Sequence, residues 1–430
     1  RDYNRFLVEP AYFAQGDGNY RDVNQNRRSD VWFKPEVRDL NIKTFLNLLQ
    51  LDGGNPLVIK GTAFALKNST AAEPVLVKEL GAEGARSAAK LLSEPVTLGE
   101  LYRALSSKGL TDKKSFGRLL DTLAPHLERR EKAEHGEGFW TDHWTYNLDL
   151  IESYLAIYPE DRQGLLFGRR EYTFFDDDHY VRPRSEKAFR KVSGEVRQYR
   201  AVARDEKKAA LIRSRRSEPT VARAHQGAGE PYRTTLAAKL LCLFALKYAT
   251  LDPSGRGIEM EADKPSWYDA LNGLPGLFGS SLPESYELKR LALFLAEELS
   301  VAGAKVSLAQ EIAELLAELE AVTAEWRSGR KAHELWERAS TAKEAYRAKV
   351  RYGVDGAEKT LEAKALAGFL RQAAERIEEG LHGAVDRKQG VPLTYLENRV
   401  VRQEPLKAVD LPPVEGLERV RPLAFESRAL

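Results

Sequence analysis

A single cysteine, Cys242, stands in 430 residues, and a single methionine, Met260. One thiol excludes an internal disulfide and any cysteine-built zinc or iron–sulfur site, and it fits a reducing compartment. Charge of one sign is equally scarce in net terms: 66 Lys and Arg against 64 Asp and Glu leave +2, so no global field draws the chain onto nucleic acid or anionic lipid. Long hydrophobic runs are absent too. The best candidate, residues 236–249, is interrupted by Lys239 and Lys247 and falls short of the roughly 18–20 residues of a membrane span. The chain opens on Arg1 with no signal-peptide pattern, and both ends read as cuts from a longer polypeptide. A cytoplasmic location is the expectation. Apolar residues at 43% and charged residues at 30% describe an ordinary globular composition, not a disordered or collagenous one.

Helical periodicity dominates. Apolar spacing predicts helices over 40–51, 98–105, 116–124, 148–158, 186–212, 234–250, 284–299, 308–326, 336–352 and 358–381. The segment 234–250 is apolar nearly all round and reads as an inner helix, whereas 186–212 is basic and reads as exposed. Only 57–59 and 172–175 look like strands. No fixed-period repeat is present, and no P-loop or dinucleotide glycine pattern. The pair 98–124 has a helix–turn–helix look, but alternating charges and a balanced net charge point to a solvated surface rather than a nucleic-acid interface.

Three long loops interrupt the helices, and loops of that length inside a compact domain usually carry function. The first, 15–31, is dense in Arg21, Asp22, Asn24, Gln25, Asn26 and Arg27. Sugar hydroxyls each want a donor and an acceptor, which such a set supplies; the same set also reads as a capped surface loop with Arg–Asp pairs. The second, 136–147, surrounds Asp142 and His143 with Trp140, Trp144 and Tyr146. Aromatic faces stack on sugar rings and raise the pKa of a nearby carboxyl; the alternative is core aromatics and a helix-capping aspartate. The third, 252–281, places Asp269 among Trp267, Tyr268 and Leu271. A carboxyl in such surroundings stays protonated and can donate to a leaving oxygen, or it can simply cap a helix. Asp176, Asp177, Asp178 and His179 hint at a metal, but adjacent loop acids are usually solvated and no HExxH or EF-hand spacing occurs. No metal and no resident cofactor are therefore expected.

Lys264, Pro265, Ser266, Trp267, Tyr268, Asp269, Ala270, Leu271, Asn272 and Gly273 resemble the W-N-D-G loop of cellobiose phosphorylase and its relatives in glycoside hydrolase family 94. Tyr20 to Asn26 is similar to that family's F-R-D-x-x-Q-D segment, with Asn26 in place of an acid. Tyr268 and Ala270 replace the asparagine and glycine of the loop, and the family's phosphate-binding segment is not recognisable. The order of loops is similar to large bacterial proteins described as cellobiose phosphorylase-like. The resemblance implies an all-α fold, an (α/α)6 toroid over 1–400 with an inserted helix pair at 95–130, and a following segment starting at 401–430. It implies inverting cleavage of an oligosaccharide's glycosidic bond by phosphorolysis, with Asp269 as general acid and inorganic phosphate as cosubstrate. Arg21, Asp22, Gln25, Asn26, Trp140, His143, Trp144, Lys264, Trp267, Tyr268 and Asn272 would bind substrate. If water attacks instead, a second carboxylate must activate it; Asp142 is the candidate, with Glu261 behind it. A non-catalytic helical carbohydrate-binding or scaffold domain is the third reading. The expected partners are the oligosaccharide and adjoining domains, with a homodimer allowed, and neither nucleic acid nor membrane.

Overall fold

The computed structural model describes residues 18–136, 139–215, 217–262, 276–303, 305–406, 414 and 416–429. The chain divides into two compact units. One comprises residues 1–44 and 58–134, the other 45–57 and 135–430.

The first unit is a three-stranded antiparallel sheet with helices. Val58–Leu66 lies centrally, between Gly18–Asn19 and Leu127–Glu134. Val58–Leu66 alternates between more and less buried positions, which suits a strand with one face on a core. Ser69–Leu91, Leu98–Ser106 and Lys113–Leu123 cover that core with Leu76, Leu101, Leu105, Phe116, Leu119 and Leu123. Local chemistry starts each of the two shorter helices. Thr97 and Glu100 form a reciprocal capping box, and the Asp112 side chain accepts from Ser115 N.

The second unit centres on the helix Leu236–Tyr248, in which every residue but Lys247 is buried. Each fully buried Leu or Phe there contributes about 1.5–3 kcal/mol. Asn147–Ile157, Pro283–Ala302, Gln310–Arg327, Ala332–Lys349 and Ala363–His382 are the other long helices. A six-stranded antiparallel sheet runs in the order Val196–Gln198, Ala188–Lys191, Leu417–Ala429, Tyr395–Pro405, Gly279–Ser281, Ile258–Glu259. The two longest strands form its middle, registered Leu396 to Ala429 and Pro405 to Val420. No helix among the described residues is long and apolar enough to cross a membrane.

This architecture overturns the all-α (α/α)6 toroid. About half of the chain is helical, but 22% is strand, including the six-stranded sheet. The largest departure is 186–212, expected as one basic helix. It is a turn of helix at Arg184–Lys187, three strands and the helix Glu206–Ser214. Gly194, at φ +86°, turns the chain between Ala188–Lys191 and Val196–Gln198, and Ala188 and Val196 then share a small core with Val420. Long-range strand pairing outweighs the local helix preference of Glu, Lys and Arg. The first long loop also departs from expectation. Tyr20–Arg27 is helical because the Asn19 side chain accepts from Arg21 N and Asp22 sits in the first turn. The inner helix stands where its apolar run places it, and the helix pair after residue 95 is present. Tyr395–Pro405 spans position 400, and its register with Leu417–Ala429 shifts between Val400 and Gln403.

Candidate functional site

A cavity of about 280 Å3 lies wholly within the second unit. Five pieces of chain line it, among them 50–52 and 205–208, and three of them carry most of its charged groups. The segment 175–187 supplies Asp177, His179, Arg184 and Lys187; Ala332–Lys349 supplies Lys343, Glu344 and Arg347; and Glu259 and Glu261 come from the third. A smaller adjoining pocket shares Asp52, Glu259, Glu261 and Arg347 and adds Trp140, Lys247 and Ala262.

Secondary structure sets these positions. Ile258–Glu259 is the sheet's edge strand, with Glu259 opposite Ser280. Alternate residues of an extended chain point the same way, so Glu259 and Glu261 share a face across Met260. Lys343 and Arg347 are four apart on one helix and stand one above the other. Lys187 immediately precedes the strand Ala188–Lys191.

Glu261 is clamped. Arg347 Nη1 and Nη2 donate to its two oxygens at 2.7 and 2.9 Å, and Lys343 Nζ lies 3.2 Å from Oε1. Arg347 also donates to Asp52 O at 3.0–3.1 Å. Burial pushes the Glu261 carboxyl up, but Arg347 and Lys343 outweigh it and hold it well below the usual carboxylate range. Glu259 goes the other way. Burial raises it to about 7, Lys343 opposes and the Glu261 charge adds to the rise, while Trp336 Nε1 donates to Oε1 at 2.8 Å. Burial lowers Lys187 to about 8 against the attraction of Glu261, and its ammonium donates to Glu261 O. Lys247 is lowered to about 8 for the same leading reason. Glu259 and Glu261 therefore form a pair, one protonatable and one ionised, beside Lys187, Lys247, Lys343 and Arg347, a pattern suited to a polar, hydroxyl-rich ligand and to proton transfer.

A second acidic pair is fully interior. Asp142 is 5% exposed and Glu284 2%, and burial followed by the Asp142 charge raises Glu284 to about 7. His143, stacked on Trp140 at 5.9 Å, and Trp144, which donates to Thr141 O at 3.0 Å, are also buried. Of this loop, Phe139, Trp140 and Thr141 line the smaller pocket; Asp142, His143 and Trp144 line neither of the two.

Arg21, Asp22, Gln25 and Asn26 lie on Tyr20–Arg27 in the first unit. Arg21 Nε donates to Asp22 Oδ1 at 3.0 Å, and Asn26 Nδ2 to Asp22 O at 2.7 Å. Lys264, Trp267, Tyr268, Asp269 and Asn272 fall outside the described residues, which stop at Ala262 on the cleft wall and resume at Gly276. Gly276 O accepts from Gln198 N, next to the sheet.

Among the residues that line the two pockets, sequence reasoning singles out Trp140 as a substrate binder, Glu261 as a reserve base and Asp176, Asp177, Asp178 and His179 as a metal hint, and misses Glu259, Lys343 and Arg347. Two signals point to them: the Glu-x-Glu alternation and the Lys-x-x-x-Arg helical spacing. Neither separates a site from an ordinary ion-paired surface without the fold. No protein-family model matches the sequence, and no curated protein matches it.

Proposed function

We propose that this chain is a carbohydrate-active enzyme that cleaves a glycosidic bond of an oligosaccharide by general-acid catalysis in the cleft of the second unit, with inversion and with inorganic phosphate as nucleophile. The observation that carries this reading is Glu259. It is a cleft carboxyl whose pKa of about 7 keeps a proton available at neutral pH, beside a Glu261 that stays ionised. The resemblance of residues 264–273 and 20–26 to family 94 supports the same chemistry and offers Asp269 as a second proton donor; the toroid is no part of the proposal. Lys187, Lys343 and Arg347 would attract the phosphate. A cytoplasmic location goes with the proposal.

The second reading is attack by water. Glu261 favours it, as an ionised carboxylate on the same face as the acid, although its clamp makes it a weak base. The purified protein, given β-linked disaccharides with and without phosphate, distinguishes the two. Sugar 1-phosphate appearing only with phosphate supports phosphorolysis, and free sugar alone supports hydrolysis. Glu259→Gln should lower turnover by about 10²–10⁴-fold, as should Asp269→Asn if the donor is Asp269. No turnover of any glycoside, or turnover untouched by both exchanges, overturns the proposal.

A further inference from the structure

At the edge of the cleft stands a group of side chains that the glycosidic reading does not use, two of which, Asp177 and His179, line the cavity. His135 is fixed in place by Leu57 N, which donates to its carbonyl at 3.1 Å. The residue is only 9% exposed, and its Nδ1 is buried with no hydrogen-bond partner among the described residues. Such a nitrogen has lost its hydration without replacement, so a ligand there would recover that loss. The ring lies flat against His179, with centroids 4.0 Å apart and planes 3° from parallel. One nitrogen of each ring and one carboxylate oxygen of Asp177 all lie within 4.8 Å of one another.

His179 is already oriented for ligation. Its Nδ1 faces Asp177 Oδ1 at 2.9 Å and Asp178 Oδ1 at 2.8 Å. An ion here would take the place of the proton on Nδ1, the nitrogen that already faces the Asp177 carboxylate, so that both groups turn toward the same point. Asp177 Oδ1 also accepts from His179 N at 2.7 Å, which leaves Oδ2 for another partner. Asp52, Asp177 and Asp178 give His135 an acidic setting, which the neighbouring His179 ring opposes; Arg204 lies 2.8 Å from Asp178.

We propose that His135, Asp177 and His179 bind one divalent transition-metal ion at the edge of the cleft, with the Asp178 carboxylate beside His179 adding negative charge to the site. Two imidazoles and one carboxylate suit Zn²⁺, Co²⁺, Ni²⁺ or Fe²⁺ and leave coordination positions for water or ligand, whereas Ca²⁺ and Mg²⁺ want oxygen donors. Binding requires the two parallel rings to tilt toward a common point, at about 2.0–2.1 Å from each nitrogen. Asp177 and His179 line the main cavity together with Glu259 and Glu261, so an ion there would face the same ligand. The inference does not depend on which bond, if any, the protein cleaves.

The test uses the untagged protein, stripped with EDTA and dialysed. ZnCl2 is titrated by calorimetry, and CoCl2 is followed by its visible absorption. The expected result is one equivalent of Zn²⁺ and a Co²⁺ spectrum with nitrogen ligation. His135→Gln and Asp177→Asn should each weaken binding by at least about 100-fold, and Asp178→Asn by about 10-fold or more. His382→Ala removes an imidazole that is 75% exposed beside Glu378 and should change nothing. Circular dichroism shows whether each variant folds; Asp177→Asn decides the matter if His135→Gln does not. Absence of a stoichiometric Zn²⁺ site, or wild-type affinity in a folded His135→Gln or Asp177→Asn protein, overturns the proposal.

Discussion

Arg347 grips Glu261 through two parallel N–H···O contacts of 2.7 and 2.9 Å, and the same guanidinium holds the carbonyl of Asp52. One side chain therefore joins the segment 45–57, the helix Ala332–Lys349 and the carboxylate at the cleft floor. Planar, two-point geometry of this kind is beyond lysine.

Removing Arg347 alone leaves a buried carboxylate with Lys343 as its main remaining partner. Arg347→Met should cost about 3–5 kcal/mol in denaturant unfolding. Arg347→Met with Glu261→Gln should cost markedly less than the two singles summed, because no uncompensated charge remains. Strict additivity in that cycle would show that the pair is not coupled.

Glu259 makes stability depend on pH in a defined direction. Its folded pKa of about 7 lies above the ordinary 4.5, so between those values the folded state keeps a proton that the unfolded chain has lost. Stability from this group is therefore full below pH 4.5 and falls as pH rises to 7. Glu259→Gln should raise the melting temperature relative to wild type at about pH 8 and change it little at about pH 4.5. Equal effects at both values would contradict the assignment.

Lys239 lies inside the central helix at 0% exposure, with Nζ 3.6 Å from the Phe174 ring centre and donating to Leu49 O at 3.2 Å. Burial holds its pKa well below 10.5. The unfolded chain therefore binds a proton that the folded chain does not, and stability should rise as pH approaches 10.5. Lys239→Met should abolish that slope in pH-dependent unfolding curves.

Gly276 has φ +74°, and a Cβ there would lie 2.2 Å from the Gln198 carbonyl oxygen. Gly276→Ala should destabilise by more than about 1 kcal/mol in denaturant unfolding, since both backbone strain and a clash with main chain oppose it. A neutral effect would mean that the turn relaxes freely.

Legibility in the sequence follows the range of the forces involved. The helix Leu236–Tyr248 is visible because its burial is written in consecutive residues. The pair Leu98–Ser106 and Lys113–Leu123 is visible as well, since apolar spacing marks both helices and Pro125 follows the second. The six-stranded sheet is hidden because its strands come from regions far apart in the chain, and Arg399, Arg402, Glu418 and Arg428 make its long strands look like surface chain. At the site, Glu261 stands out only as one acid among many. What distinguishes it from Glu259 is the grip of Arg347, which lies 86 residues further along the chain.

The central hairpin of Tyr395–Pro405 and Leu417–Ala429 has a bearing on the order of assembly. Within the sheet it joins the strand that follows Lys187 to the short strands that end at Glu259 and Ser281. During synthesis those earlier strands emerge and wait, unjoined, with open edges, until the hairpin leaves the ribosome. Non-local pairing of this kind closes slowly, so the nascent chain passes through an interval in which exposed strand edges invite wrong partners.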